Sequence, residues 1–452
     1  MNEPRLDVSA VTGGDWREYL SEMGPSWVAG AVAAGPATMA TVLTAGATFG
    51  YAMLWVVVLS AVLGASAQYL SMRLGLLTQD GLVSVVEREL GDGWAWVLVA
   101  DAVLAAGLAQ LVIMKGLADV TATITGVDAR LWGVAWAVVL AGGLAGRGYR
   151  FVELLAKGLV AAVVVAFLAS LVFVPVDPAA AVGGLVPRIP AGVDGALVAA
   201  GILGGAVHIT LITMHSYTMR ARGWTTRDYG LATFDVGASM LVAFGVYSLA
   251  IFLVAASVLH GPEVAASDLS AVAAAQALGP IAGANAKWLF LLGLLGAAVS
   301  TLGGNTVVPP YVVADKLGWG TDLSDDRYRT LLAGVALFSG VGAFLGGAFF
   351  PLLVLVLAFG LVGTPFAIAV VLVLLNGDAV AEPNSTLANL GGVVLFAVTT
   401  VLAANFVRSR ALSDLGDPLS AFVVVFAAAM AAATLGLLGK FVRETIARPT
   451  AA

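Results

Sequence analysis

The chain has no cysteine and only three histidines, His208, His215 and His260, among its 452 residues. Without cysteine, disulfides, thiolate metal sites and cysteine-based catalysis are excluded. Charged residues make up 11% of the chain, against about 25% in an average soluble domain. The mean hydropathy is +0.98. This is not the composition of a water-soluble globule.

Several functional classes lack their usual signals in the sequence. The net charge is −6 and no basic run occurs, which argues against a nucleic-acid partner. No GxxxxGK[ST] phosphate loop is present, so ATP-driven transport is not supported. Neither a Ser-His-Asp arrangement nor a metalloprotease spacing appears, and we expect neither an enzyme nor a bound cofactor. The expected partners are a lipid bilayer and a transported ion or small solute.

Long uncharged stretches dominate what is present. Residues 23–72 and 330–377 contain no Asp, Glu, Lys or Arg. Since a helix needs roughly 20 apolar residues to cross a membrane, each stretch holds two spans. Amphipathic pieces outside the spans are predicted near 82–90 and 264–278. The pattern predicts an all-α polytopic membrane protein with twelve spans, near 26–49, 52–76, 93–117, 131–147, 151–176, 195–219, 231–258, 285–309, 329–348, 351–375, 387–407 and 419–440.

Lysine and arginine are concentrated in the loops on one side of this arrangement. Because such residues favour the cytoplasmic side, the N-terminus is predicted to be cytoplasmic and the number of spans even. No targeting segment is recognised, so the expected location is the plasma membrane.

The first span is interrupted by Gly35-Pro36 at its middle. Proline removes a backbone donor and disfavours helical geometry in the residue before it. A simple proline kink would fit this span alone. The functional interpretation is a true break, whose freed carbonyls and helix ends face a substrate.

The sixth span carries a glycine-rich stretch just before a mid-span histidine, His208. An ionisable residue at membrane depth is a candidate for function, although a packed, hydrogen-bonded histidine is the alternative. His215, nearer the span's end, is expected to be structural. Spans one and six each open one of two five-span halves, and matching interruptions in two halves point to a transporter site. We expect the backbone to unwind around Gly35–Thr38 and around Gly205–Thr210, with the two gaps meeting near the middle of the membrane.

Scattered motifs in spans one to ten carry a family resemblance. Pro365-Phe-Ala367 and His215-Ser216 fit the tenth and sixth spans of the Nramp divalent-metal transporters. The other matching segments are Gly24-Pro-Ser-Trp27, Ala40-Thr41, Ala45–Tyr51, Leu54-Trp55, Gly64, Gln68, Arg73-Leu-Gly75 and Glu153-Leu-Leu. The chain thus resembles this family over roughly residues 24–375.

The resemblance implies a LeuT-type fold, with two inverted five-helix repeats and broken first and sixth helices. On this basis we expect a cytoplasmic tail at 1–25, a first repeat at 26–176, a second at 193–375, and one or two C-terminal membrane helices at 387–440.

The family's defining residues do not carry over. Its first-helix Asp-Pro-Gly-Asn corresponds here to Gly35, Pro36, Ala37 and Thr38, so the carboxylate is lost. Its sixth-helix Met-Pro-His corresponds to His208, Ile209 and Thr210.

The resemblance places a backbone carbonyl ligand at Gly205 and leaves Leu108 and Leu111 near the family's third-helix acids. The resulting substrate-site prediction is Gly35, Pro36, Ala37, Thr38, Gly205, His208 and Thr210, with His208, Thr38 and Gly205 as metal ligands.

The expected function is secondary transport of a divalent cation, such as Mn, Fe or Mg, through a remodelled site. A dehydrated cation needs anionic compensation, or it retains most of its water. The family consists of symporters, but the loss of its third-helix acids predicts weak or absent proton coupling. Two alternatives stay open here: a transporter of a small organic solute or anion, and a membrane sensor or scaffold.

Overall fold

The computed structural model describes residues 35–146, 149–261, 269–413 and 415–447, and no strand occurs among them. The predicted tail at 1–25 and residues 26–34 of the first predicted span lie outside the described residues. The longer helices are α1 (Pro36–Phe49), α2 (Leu54–Thr78), α3 (Leu82–Leu90), α4 (Asp92–Thr125), α5 (Ala129–Ala145), α6 (Tyr149–Ser170), α7 (Pro178–Gly183), α8 (Val193–Ala206), α9 (Ile209–Ala221), α10 (Tyr229–Gly237), α11 (Gly245–Val258), α12 (Ala286–Thr306), α13 (Val308–Lys316), α14 (Asp326–Phe338), α15 (Phe349–Leu375), α16 (Thr386–Ser413) and α17 (Pro418–Ala447).

Each of the twelve predicted spans contains helix in the described part of the chain. Eight helical segments there are long and apolar enough to cross a membrane, and two shorter apolar helices lie at Ala129–Ala145 and Leu154–Ser170. The ninth predicted span is the short helix α14 followed by a 3-10 turn, Ser339–Phe344. The amphipathic piece at 82–90 is α3, and the described part of 264–278 forms the single turns Ala271–Ala274 and Ala275–Leu278.

The centre of the bundle is α15, which packs against α1, α4 and α8. Of its most apolar stretch, 89% is buried, compared with 33% for α16 and 22% for α17. The two C-terminal helices therefore lie at the periphery, where their apolar side chains remain available to lipid. α15 is the scaffold on which the central elements are arranged.

Helix α1 begins at the predicted interruption. Gly35 is extended, with φ −67° and ψ −172°, and Pro36 takes the first helical position. Proline suits this position because its missing N–H would have no partner inside the helix. Of the predicted unwound residues, only Gly35 is non-helical, whereas Pro36, Ala37 and Thr38 form the first turn of α1.

The sixth span is broken in two, as predicted, but over a shorter stretch. Helix α8 ends at Ala206 and α9 begins at Ile209, with Val207 and His208 between them in non-helical geometry. The prediction that Gly205 and Thr210 are unwound is wrong, because both lie within the flanking helical turns. His208 can serve as a cap for α9, and this side-chain cap allows the second helix to begin immediately.

The last turns of α8 pack closely on α15. A Cβ atom on Gly204 would overlap the backbone carbonyl oxygen of Leu357, whereas a Cβ on the adjacent Gly205 would come no closer than 3.8 Å to Leu357 Cδ1. A side chain can therefore be accommodated at position 205 but not at position 204.

We expect Gly204→Ala to destabilise the protein by about 1–3 kcal/mol, because a backbone carbonyl cannot rotate aside as a side chain would. Thermal unfolding of the detergent-purified protein measures this. Gly205→Ala is the matched control and should unfold at the wild-type temperature or above it, since alanine favours helix. Equal destabilisation by both substitutions would contradict the described packing.

Candidate functional site

Two polar groups of the non-helical residues in the sixth span, the Val207 carbonyl and Nδ1 of His208, have partners nearby. The Nδ1 atom of His208 accepts a hydrogen bond from the backbone N–H of Thr210 at 3.4 Å and lies 2.9 Å from the Thr210 hydroxyl. The Thr364 hydroxyl on α15 lies 3.2 Å from the Val207 carbonyl oxygen and 3.1 Å from that of Gly360. Because a membrane interior offers no water for such groups, these partners make the break tolerable.

The imidazole of His208 leaves its second nitrogen unused. The residue is 5% exposed, and its Nε2 has no hydrogen-bond partner within the described residues. The ring lies over Gly360, where a Cβ atom would overlap Nε2. A metal at Nε2 requires the tautomer whose proton is on Nδ1. In that tautomer Nδ1 donates to the Thr210 hydroxyl instead of accepting from the Thr210 N–H, and the ring is oriented like a metal-binding histidine held by a partner on its other nitrogen.

Helix α15 lacks one backbone hydrogen bond close to Gly360, the residue that contacts the His208 ring. Pro365 lies inside this helix and has no N–H, so the Leu361 carbonyl loses the donor that an unbroken helix would provide. The carbonyls ending α8 also lack intrahelical partners by the geometry of a helix terminus. Oxygen acceptors thus accumulate around His208.

The first turn of α1 reaches the same level from the other side. Thr41 contacts the position of Gly201, where a Cβ would lie 3.3 Å from Thr41 Cγ2. Since the two helices run in opposite directions, one further turn brings Thr38 of α1 level with Gly205 of α8. The Thr41 hydroxyl donates to the Ala37 carbonyl at 3.0 Å. Gly35 and Pro36 are both buried.

The predicted site residues are therefore distributed over three helix ends, the beginning of α1, the end of α8 and the beginning of α9. His208 and Thr210 are in direct contact, Gly205 is in the last turn of α8, and Thr38 is in the first turn of α1. In the described ranges there is no group of three His, Cys, Asp or Glu side chains that could hold a metal. Any metal here would rely on one imidazole, hydroxyls and carbonyls.

A buried acid beside this site was not assigned a role by the sequence analysis. Asp101 of α4 is 2% exposed, and neither carboxylate oxygen has a hydrogen-bond partner among the described residues. Its carboxylate lies against Gly363, where a Cβ would overlap both oxygens. The sequence signals were an acid inside an apolar span and a Gly360–Gly363 pair just before Pro365.

The bundle is more open at one end than at the other. Toward the end of α1, a cavity of about 280 Å³ is lined by Thr44, Asp194, Val198, Val354 and Arg410, among others. Thr44 is six residues beyond Thr38, so the cavity starts about 9 Å from that residue along the helix. It is a candidate access route to the centre.

A polar network ties together the opposite end. Asp315 of α13 accepts hydrogen bonds from the Ser84 amide at 3.1 Å, from the Ser84 hydroxyl and from the Tyr217 hydroxyl on α9. Next to it, Lys316 pairs with Glu87 at 3.0 Å. These contacts attach the far end of α9 to α3 and α13 and close the bundle there.

Leu108 and Leu111, which the resemblance places near the family's third-helix acids, both lie on α4. The Leu111 carbonyl packs where a Cβ on Gly342 would fall. Lys115 and Asp119, further along α4, form an ion pair of 3.0 Å, as expected for residues four apart on a helix.

Comparison with solved structures establishes the fold. The chain matches a crystal structure of the Eremococcus coleocola manganese transporter with a TM-score of 0.72, over 95% of both chains at 17% identity. It also matches a nucleobase-cation-symport-1 family transporter with a TM-score of 0.53, over 92% of both chains at 14% identity. The predicted LeuT-type, all-α fold is confirmed.

Sequence comparison gives the family. A divalent metal cation transporter MntH of Yersinia pestis is 34% identical over 310 residues, which is 65% of this chain and 73% of the relative. An MntH of Mycobacterium tuberculosis is 30% identical over 327 residues, 70% of this chain and 75% of the relative. The model of the natural resistance-associated macrophage protein-like family, Nramp, matches residues 26–409. The chain is a multi-pass membrane protein that belongs to the Nramp family.

Proposed function

We propose that this protein is a secondary transporter that moves a divalent metal cation through the break between α8 and α9. The observation that carries the proposal is the buried, unpartnered Nε2 of His208 at that break. It lies at the junction between the end of α8, which exposes carbonyl oxygens, and the beginning of α9, which exposes N–H groups. The relatives are named as divalent metal cation transporters, which supports a metal as the substrate and transport rather than catalysis as the activity.

Mn, Fe and Mg are the proposed substrates, because the donors include one imidazole and several oxygens. Imidazole suits Fe, whereas hydroxyl and carbonyl oxygens suit Mg and Mn. His208, Thr38 and the Gly205 carbonyl are the proposed ligands. Thr210 would orient the imidazole, while Gly35, Pro36 and Ala37 would shape the facing helix end.

The proposed orientation places the N-terminus in the cytoplasm of a cell whose plasma membrane holds the protein. The cavity near Thr44 then opens outward, and the network around Asp315 closes the cytoplasmic side. Residues 26–176 and 193–375 are the proposed inverted repeats, followed by membrane helices within 387–440. Neither the central residues nor the named relatives favour an organic solute over a metal.

Proteoliposomes containing the purified protein should admit Mn²⁺ or Mg²⁺ down a concentration gradient, measured with a metal-sensitive dye inside. His208→Ala should lower the initial rate by about tenfold or more, as expected when a metal site loses a ligand or a group that orients one. His215→Ala, on the same helix but outside the break, is the matched control and should retain most of the flux. Equal rates for the wild type and the His208 variant would count against this site.

The Thr38 hydroxyl should be needed for metal passage, whereas its methyl group should not. Thr38→Ser preserves the oxygen and should transport at a rate close to the wild type. Thr38→Val has nearly the same shape without the oxygen, and its half-saturating metal concentration should rise about tenfold, which corresponds to about 1.4 kcal/mol. If valine is tolerated as well as serine, Thr38 does not bind the ion.

Metal uptake should cause little or no acidification of the vesicle interior, because Leu108 and Leu111 replace the acids that the family resemblance would place in the third helix. A pH-sensitive dye enclosed in the same vesicles measures this, with a protonophore as the positive control for detection. Robust proton influx that depends on the metal gradient would show that another group carries the proton.

A further inference from the structure

Asp101 is a buried acid whose carboxyl group has no hydrogen-bond partner among the described residues and lies beside the proposed site. It is 2% exposed, and both of its oxygens lack hydrogen bonds within the described residues. Isolated ionised groups are strongly disfavoured in an apolar interior, and intramembrane acids usually mark ion pathways. An ionised Asp101 requires a counter-charge here, and a bound cation would supply it.

No neighbouring cation in the described bundle supplies that charge. Lys115 is on the same helix but is bound to Asp119 at 3.0 Å. It is also fourteen residues from Asp101, or about 21 Å along the helix. Other buried or half-buried cations have partners elsewhere. Lys316 pairs with Glu87 at 3.0 Å, Arg222 with Asp235 at 3.1 Å and Lys440 with Glu444 at 3.8 Å, and Arg73 donates to the Pro383 carbonyl at 3.1 Å.

The register of α15 places Asp101 next to His208. Gly360 underlies the imidazole, and Gly363 underlies the carboxylate. Positions three apart on a helix share a face, with Cβ positions about 5–6 Å apart. The carboxylate and the imidazole are therefore separated by on the order of 10 Å or less along one face of α15.

Other oxygens lie along the same face, between or beside the two groups. The Thr364 hydroxyl lies 3.1 Å from the Gly360 carbonyl, and Leu361 has a carbonyl whose helical donor is missing because residue 365 is proline. The combination of one carboxylate, one imidazole nitrogen, a hydroxyl and freed carbonyls suits a hard or borderline divalent cation.

We propose that Asp101 supplies the negative charge for the transported cation, so that the anionic group of the site is on α4 rather than on α1. This inference rests on the proposed metal transport. A cation at His208 that keeps part of its water shell can interact with Asp101 through those waters, since ions such as Mg²⁺ retain several waters in protein sites. The glycines at 360 and 363 provide the space for both side chains.

The test compares Asp101→Asn with Asp119→Asn, which makes the same chemical change on the same helix but in an ion pair far from the site. Mn²⁺ and Mg²⁺ binding to the detergent-purified full chain is measured by calorimetry, and flux is measured in vesicles. We expect Asp101→Asn to weaken metal binding about 10- to 100-fold, with Asp119→Asn close to the wild type.

Metal-dependent thermal stabilisation separates a charge role from a packing role. Wild-type protein should unfold at a higher temperature in Mn²⁺, and Asp101→Asn should lose this shift without unfolding earlier in metal-free buffer. A variant that unfolds earlier without metal but keeps the full shift would show that Asp101 is structural, and would overturn the inference.

Gly363→Ala provides a second variant that keeps the carboxylate and displaces it. It should weaken metal binding as well, while Gly334→Ala, where a Cβ meets nothing within 4 Å, should not. If the wild type binds and transports metal and the Asp101 and Gly363 variants match it, this inference fails and the proposed function stands. If the wild type neither binds nor transports Mn²⁺ or Mg²⁺, both fail.

Discussion

A membrane interior requires every backbone group to find its partner within the protein, and this constraint governs the centre of the molecule. Two helices end there, which would leave carbonyl and amide groups unpaired. The Thr364 hydroxyl reaches the Val207 carbonyl, and the His208 side chain caps the next helix. The hydrogen bonds of Thr364 and His208 thus stabilise the break between α8 and α9. His208 also carries the nitrogen that is proposed to bind the ion.

Charge is the second requirement, and it is met away from the first helix. A divalent ion and a carboxylate about 10 Å apart attract each other by about 3 kcal/mol at an effective dielectric constant of about 20. That is enough to matter for a site that otherwise offers neutral ligands. In the proposed arrangement, loss of the first-helix acid does not leave the site without a negative group, because Asp101 on α4 supplies one.

The sequence was sufficient for the fold but not for the whole site. Hydropathy located the spans, and the glycine-rich stretch before His208 located the break to within a few residues. The sequence analysis overestimated how many residues around His208 are unwound, because the His208 side chain caps α9 and allows the helix to begin at Ile209. The neighbourhood of Asp101 was not predictable, because it depends on which face of α4 meets which turn of α15. The hydrophobic periodicity of a single helix does not determine how α4 and α15 pack against each other.

The glycines at 360 and 363 also link positions that are remote in sequence. Because each leaves room for one polar side chain, the volume at 360 is tied to residue 208 and the volume at 363 to residue 101. In related proteins, a larger residue at 360 or 363 would be tolerated only if the side chain packed against it, at 208 or 101, became smaller. Substitutions at 360 and 208, and at 363 and 101, are therefore expected to be correlated in pairs among related sequences, and such pairs would mark the cavity from sequence alone.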